Sequence, residues 1–271
     1  MKKITLRFLT FFILGNSIYA TLISKPDEFK IEYIQSYGKI DGFVQIPKGG
    51  KKGTTSLKKP TFHDLGIDNI TYPQFKLKTR WNNLHLFAEF IYKTFNGSEY
   101  LKEDIISHDK LLAKTSKLKT EHEYINYALG MGYDIFKTNN IEITPILEFT
   151  ATDFKYKYTC ENVNENTKFG SQRDFGFGSL HIGINSTYIF TSKYKINLNI
   201  KSAIPFDSVR KWWSINLLNS YTLYQKNSKE LNLIFGIGVQ EFEYRDTQEE
   251  MQNFMKYKLS PTYSLGLEYK F

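Results

Sequence analysis

The chain has 271 residues, a formal charge of +8 and a single cysteine, Cys160. A lone thiol excludes an intramolecular disulfide framework, so packing and backbone hydrogen bonds must hold the fold. Aromatic residues reach 16% and charged residues 24%, a mixture that argues against a bundle of apolar membrane helices and suits strands with one greasy and one wet face.

At the N-terminus, Lys2, Lys3 and Arg7 flank a short apolar run from Phe8 to Gly15, and Ser17-Ile18-Tyr19-Ala20 offers a cleavage site after Ala20. This is the layout of a secretory signal peptide, with an apolar part too short to span a bilayer. Residues 1–20 are read as the signal and 21–271 as one mature domain. No cysteine follows the cut that would carry a lipid anchor. Three positive charges belong to the signal, which leaves +5 on the mature chain. On an exported protein that balance suits lipid phosphates better than nucleic acid. Beyond Ala20 no stretch approaches the roughly eighteen apolar residues of a membrane helix.

Period-two alternation predicts ten strands, at about 28–44, 71–82, 84–96, 119–136, 141–158, 174–190, 194–205, 211–225, 231–245 and 256–271. Short connections at Asn82-Asn83, Lys137 to Asn140, Thr191 to Lys193 and Gln225 to Glu230 alternate with longer ones at 45–70, 97–118, 159–173, 206–210 and 246–255. Aliphatics sit mid-strand, as in Leu180, Ile182 and Ile184. Aromatics gather at strand ends: Trp81, Tyr133, Tyr188, Tyr194, Tyr221, Tyr224 and Tyr269 near the short turns, and Tyr72, Tyr92, Phe175, Trp213, Phe242 and Tyr257 near the loops. That predicts two girdles around a lipid-facing band. The last strand alternates from Tyr257 through Leu259, Pro261, Tyr263, Leu265, Leu267 and Tyr269 to Phe271, which predicts one continuous apolar face.

The signal peptide, the strand–turn–strand–loop rhythm and the terminal "YSLGLEYKF" resemble the Gram-negative outer-membrane β-barrel class. The resemblance implies an all-β fold, a transmembrane antiparallel up-and-down barrel of about ten strands, with eight or twelve as alternatives. It implies an outer-membrane location with extracellular loops and periplasmic termini. It also implies that Tyr269 and Phe271 form a signal read by the barrel-assembly machinery. No catalytic or binding residues come with it.

The lumen-facing parity collects Lys76, Lys78 and Arg80 on one strand and His85, Glu89 and Lys93 on the next, with Glu32, Glu148, Glu268 and Lys270 elsewhere. Such a set serves either as an anion track or as a salt-bridge network filling a narrow barrel. His122, Glu148, Ser179 and His181 share that parity and are the weak candidates for a base, orienter and nucleophile, with Thr120 as another hydroxyl. Loop one carries Lys48, Lys51, Lys52, Lys58 and Lys59, which suit phosphate contacts, and its "KPTFHDLGI" has apolar residues able to fold back over the barrel mouth. Loop two predicts a short amphipathic helix or an irregular loop, and Cys160 falls in or beside loop three. There is no HExxH, no paired CxxC and no Gly-Lys-Ser/Thr order, so no metal or cofactor is expected. The first functional reading is a non-enzymatic structural, adhesion or lipopolysaccharide-contacting surface protein. Its expected partners are outer-membrane lipids, lipopolysaccharide and an extracellular protein ligand, with no nucleic acid. A narrow channel for small solutes or anions is the alternative, and a rim-active lipid or peptide hydrolase comes third.

Overall fold

A computed structural model describes residues 25–45, 61–107, 110–162, 167–205, 208–248 and 251–271. The predicted signal peptide and the five loop-one lysines lie outside the described residues. Ten long strands form the barrel: β1 (Glu28–Gln45), β2 (Asn69–Trp81), β3 (Leu84–Tyr100), β4 (Lys117–Tyr133), β5 (Ile141–Asn162), β6 (Thr167–Ile189), β7 (Tyr194–Ala203), β8 (Val209–Lys226), β9 (Lys229–Gln248) and β10 (Met251–Lys270). Each pairs antiparallel with its neighbours in sequence, and β1 pairs with β10 to close the ring. Closure leaves no sheet edge, which hydrocarbon could not solvate. At one end of the barrel, here the turn end, β2–β3 and β8–β9 reverse through Asn82 (φ 50°) and Asn227 (φ 54°). Asparagine tolerates the left-handed conformation that two-residue hairpins demand.

Over the turn-end part of the barrel the outer face is apolar. Leu129, Met131 and Tyr133 on β4, Leu147 and Phe149 on β5, Ile182 and Ile184 on β6, and Leu265 and Leu267 on β10 are all exposed. Inward neighbours in the same rows are Glu32, Glu89, Glu148, His181, Lys201 and Glu268, all buried. Apolar outside and polar inside is the order a bilayer imposes.

Toward the loop end the order inverts while the backbone parity stays the same. On β4 and β5 the outward residues become Lys119, Glu121, Glu123, Lys155 and Lys157. They pair across the strands as Lys155–Glu123 (2.6 Å), Lys157–Glu121 (3.3 Å) and Lys119–Glu161 (3.4 Å). Tyr124, Phe154, Tyr156, Tyr158 and Cys160 point inward and are buried. Charge outside and aromatics inside is the order water imposes, so this part of the wall projects beyond the belt.

β10 changes faces by a different device. Thr262 pairs with Gly38 on β1 and Gly238 on β9, but the next pairs are Leu259 with Ile40 and Gln240. Ser260 and Pro261 thus stand opposite single residues, a β-bulge that flips the side-chain parity. Tyr263, Leu265 and Leu267 face outward, whereas Met255, Tyr257 and Leu259 are buried inside.

Several expectations are corrected. The terminal strand does not present one continuous apolar face. Tyr72, Phe242 and Tyr257 do not belong to an outer girdle; all three are buried in the lumen. Most of 159–173 and 246–255 is strand, because ladder pairing continues past the belt. In loop two, Ile105–Ser107 pairs with Lys110–Leu112 as a small hairpin, and the described residues of the loop contain no helix. Cys160 lies in β5 and is buried.

Candidate functional site

The lumen is organised in three layers. At the mouth, the chain before β2 folds inward and places Phe62, Leu65 and Ile67 in the apolar core. Phe62 N–H donates to the Gly42 carbonyl (2.9 Å) and Ile67 N–H to the Phe62 carbonyl (2.8 Å). The Thr61 hydroxyl and amide both donate to Asp64 (2.6 and 3.1 Å), which pins the short 3₁₀ turn His63–Leu65. Gly97 on β3 is required here, because a Cβ would collide with the Leu65 carbonyl. The Phe62 ring packs at 5.5 Å from Phe95 and 5.8 Å from His122. Leu101 and Leu112 from loop two join the same core. On the solvent side of the turn, the hydrogen bond that His63 Nδ1–H donates to Asp68 (2.7 Å), with the charge of that carboxylate, raises the His63 pKa above its ordinary value.

Below the mouth, Lys93 of β3 reaches across the lumen. Its ammonium stands over the rings of Tyr72 (4.8 Å), Tyr124 (5.1 Å) and Tyr257 (5.4 Å) and donates to Gln240 Oε1 at 3.3 Å. Five strands contribute to this layer, so it spans the bore.

The third layer is a polar cavity of about 290 Å³. Most of its charges are paired: Lys76–Glu89 (3.1 Å), Lys78 with Glu32 and with Glu268 (3.4 Å), Arg80–Asp134 (2.6 Å) and Arg80–Glu142 (3.4 Å). His85 Nε2 lies 2.7 Å from Asp134, which also accepts from the Thr144 hydroxyl. A charge-compensated lumen is what burial in a narrow barrel demands, since an unpaired ion there carries a heavy desolvation cost.

Three of the four histidine-site candidates meet. Glu148 accepts from His181 Nδ1–H at 3.2 Å, which leaves Nε2 as the acceptor for the Ser179 hydroxyl at 2.8 Å. The order is hydroxyl, imidazole, carboxylate, as in a nucleophile relay. Two further contacts tie it into the wall. Lys201 donates to both Glu148 oxygens (3.1 and 2.9 Å), and Thr150 and Ser179 hydroxyls bond at 2.6 Å. The relay lies inside the barrel rather than at its rim, and the His181 ring stacks on Trp212 at 4.1 Å. His122 takes no part in it. Its ring stacks on Phe95 at 4.6 Å in the mouth layer and its Nδ1–H donates to the Phe95 carbonyl (3.2 Å). His122 Nε2 and Thr120 Oγ1 have no hydrogen-bond partner among the described residues. The grouping of His122 with Glu148 and either Thr120 or Ser179 is therefore not formed.

Sequence reasoning missed Lys201, Asp134, Thr150 and Trp212. Parity carried the signal for Lys201, since placing Ile196, Leu198 and Ile200 outward puts Lys201 inside. Asp134 follows the last residue of β4, where alternation no longer applies. At the chain end, Phe271 N–H donates to the Phe29 carbonyl (3.0 Å) and its ring packs on Phe29 and Tyr269.

No family model and no curated protein matches the chain. Solved structures do. The outer membrane protease OmpT from Escherichia coli aligns at 10% identity over 91% of this chain and 98% of that one, with a TM-score of 0.52. The transport unit of the autotransporter AIDA-I from Escherichia coli gives 8% identity, 97% coverage of both chains and a TM-score of 0.41. Ail of Yersinia pestis gives 11% identity over 89% of this chain and 99% of that one, with a TM-score of 0.34. At these identities the likeness is one of fold, and the fold is that of the Gram-negative outer-membrane β-barrels.

Proposed function

We propose that this chain is a sealed, non-enzymatic outer-membrane barrel that anchors and displays its loop end at the cell surface. The observation that carries the reading is the pair of cross-lumen layers, the apolar mouth and the Lys93–tyrosine layer beneath it. A solute path would have to pass both. The loops support the same reading: they plant Phe62, Leu65, Ile67, Leu101 and Leu112 inward, which leaves His63, Asp64, Asp68 and Lys102 turned to solvent as a fixed polar surface. A protein ligand or the surrounding glycolipid is the occupant that surface fits. OmpT is a protease, but only its fold transfers at 10% identity. The Ser179–His181–Glu148 relay lies in the lumen, its carboxylate neutralised by Lys201 and its hydroxyl held by Thr150, an arrangement suited to filling the wall.

The test is planar-bilayer recording on the refolded protein, with a heat-dependent gel shift to verify folding. A folded, inserted and silent barrel is expected. Discrete conductance steps would overturn the sealed-lumen reading in favour of the narrow channel. Labelling of Ser179 by a fluorophosphonate, located by mass spectrometry, would overturn its non-enzymatic part.

A further inference from the structure

Cations on the outer wall above the apolar belt are generally matched. Lys119, Lys155, Lys157, Lys168, Lys211 and Lys256 each lie 2.6–3.6 Å from a carboxylate. The seam between β1 and β10 differs. Lys39 and Lys258 are both exposed, and neither has an ion-pair partner among the described residues. Two carboxylates stand in register with Lys258: Asp41 on β1, which accepts from the Gly42 amide at 2.7 Å, and Glu241 on β9, which is taken by Lys211 (2.7 Å) and Lys256 (3.6 Å). One step toward the belt, Tyr37 and Tyr263 pair across the same seam and are exposed on the outer face. The bulge residue Ser260, also exposed, stands opposite Lys39.

Exposed tyrosines at the edge of an apolar belt mark the headgroup level. Unmatched lysines immediately above them lie where lipid phosphates sit, and cations near an anionic membrane surface are attracted to it. The bulge contributes by geometry. It turns Leu259 inward, so that Lys258 and Ser260 face outward on a strand whose sequence alternation would place apolar residues there.

We propose that the Lys39–Lys258 seam, floored by Tyr37 and Tyr263, holds a phosphate of the outer-leaflet glycolipid, lipopolysaccharide. The site rests on the outer-membrane reading with long loops outward, but not on whether the lumen conducts. Its lysines act as point charges on the phosphate, Ser260 offers a hydroxyl, and the acyl chains run down the belt past Tyr263 and Leu265.

The test is native mass spectrometry of the refolded barrel with bis-phosphorylated lipid A, its dephosphorylated form and phosphatidylglycerol. Bis-phosphorylated lipid A should be retained preferentially. The double variant Lys39→Gln/Lys258→Gln should weaken retention by about 25-fold, about fivefold for each lysine. Lys39→Arg/Lys258→Arg should retain it, and the paired-lysine control Lys155→Gln/Lys157→Gln should behave as the unaltered protein. Equal retention of dephosphorylated lipid A or phosphatidylglycerol, an undiminished double variant, or an equal loss in the control would overturn the assignment. The gel shift reports folding for every variant, and bilayer conductance, read separately, bears only on the sealed lumen.

Discussion

Phe62→Ala tests whether the mouth is a packed core. Phe62 is wholly buried, its ring set against Phe95 and His122. Truncating a buried phenylalanine costs about 3–5 kcal/mol, from lost transfer energy plus the void left behind. Here the void borders the His122 ring, whose Nε2 has no hydrogen-bond partner among the described residues, so a water entering beside it regains a hydrogen bond and offsets part of the cost. The lower end, about 3 kcal/mol, is expected, which is about 150-fold in the equilibrium between closed and open mouth. Because the turn is a local unit, the loss should appear as local opening rather than as barrel unfolding. Amide hydrogen exchange is the assay. The N–H groups of Phe62, Leu65 and Ile67 should exchange about 150-fold faster, while the β5–β6 ladder around Leu147 and Ile182 keeps its protection. Fast exchange at these amides in the unaltered protein would refute the packed mouth. So would acceleration below about tenfold, or equal acceleration throughout the barrel.

Glu148→Gln leaves the Lys201 ammonium buried without its carboxylate and should cost about 3–5 kcal/mol in urea unfolding. Glu148→Gln/Lys201→Met should recover most of that loss, and equal losses in the single and double variants would show that the pair is not coupled. For the bulge, nitroxide labels along β10 should report oxygen from the bilayer at Tyr263 and Leu265, and protection from it at Tyr257 and Leu259. Lipid exposure at all four positions would mean that the strand runs without a flip.

Much of the barrel was legible because alternation and two-residue turns are local properties. Asn82 marked its turn, and Ile182 and Ile184 marked the lipid face. What alternation does not report is which face is dry. In β5, Phe149 and Tyr156 are of opposite parity, one outward into lipid and one inward into the core. The sequence shows apolar residues on alternate positions in both stretches, with nothing to mark where the outer solvent changes. That is why Tyr72, Phe242 and Tyr257 read as girdle residues and why 159–173 read as loop. The histidine site was half legible for the same reason. Parity placed Ser179, His181 and Glu148 in the lumen together with His122, but the depth that separates His122 from the others depends on strand stagger around the ring, which is a property of the closed barrel.

The projecting wall has a mechanical consequence. Past Thr152, β5 continues for ten residues, a height of about 25 Å for strands tilted as in such barrels. The molecule therefore folds against two solvents stacked end to end. A bilayer that thickens or thins strains the turn-end part, where hydrophobic mismatch acts, whereas the mouth rides above it like the head of a post. Lipid composition should tune how deeply the barrel sits and leave the shape of what it holds up unchanged.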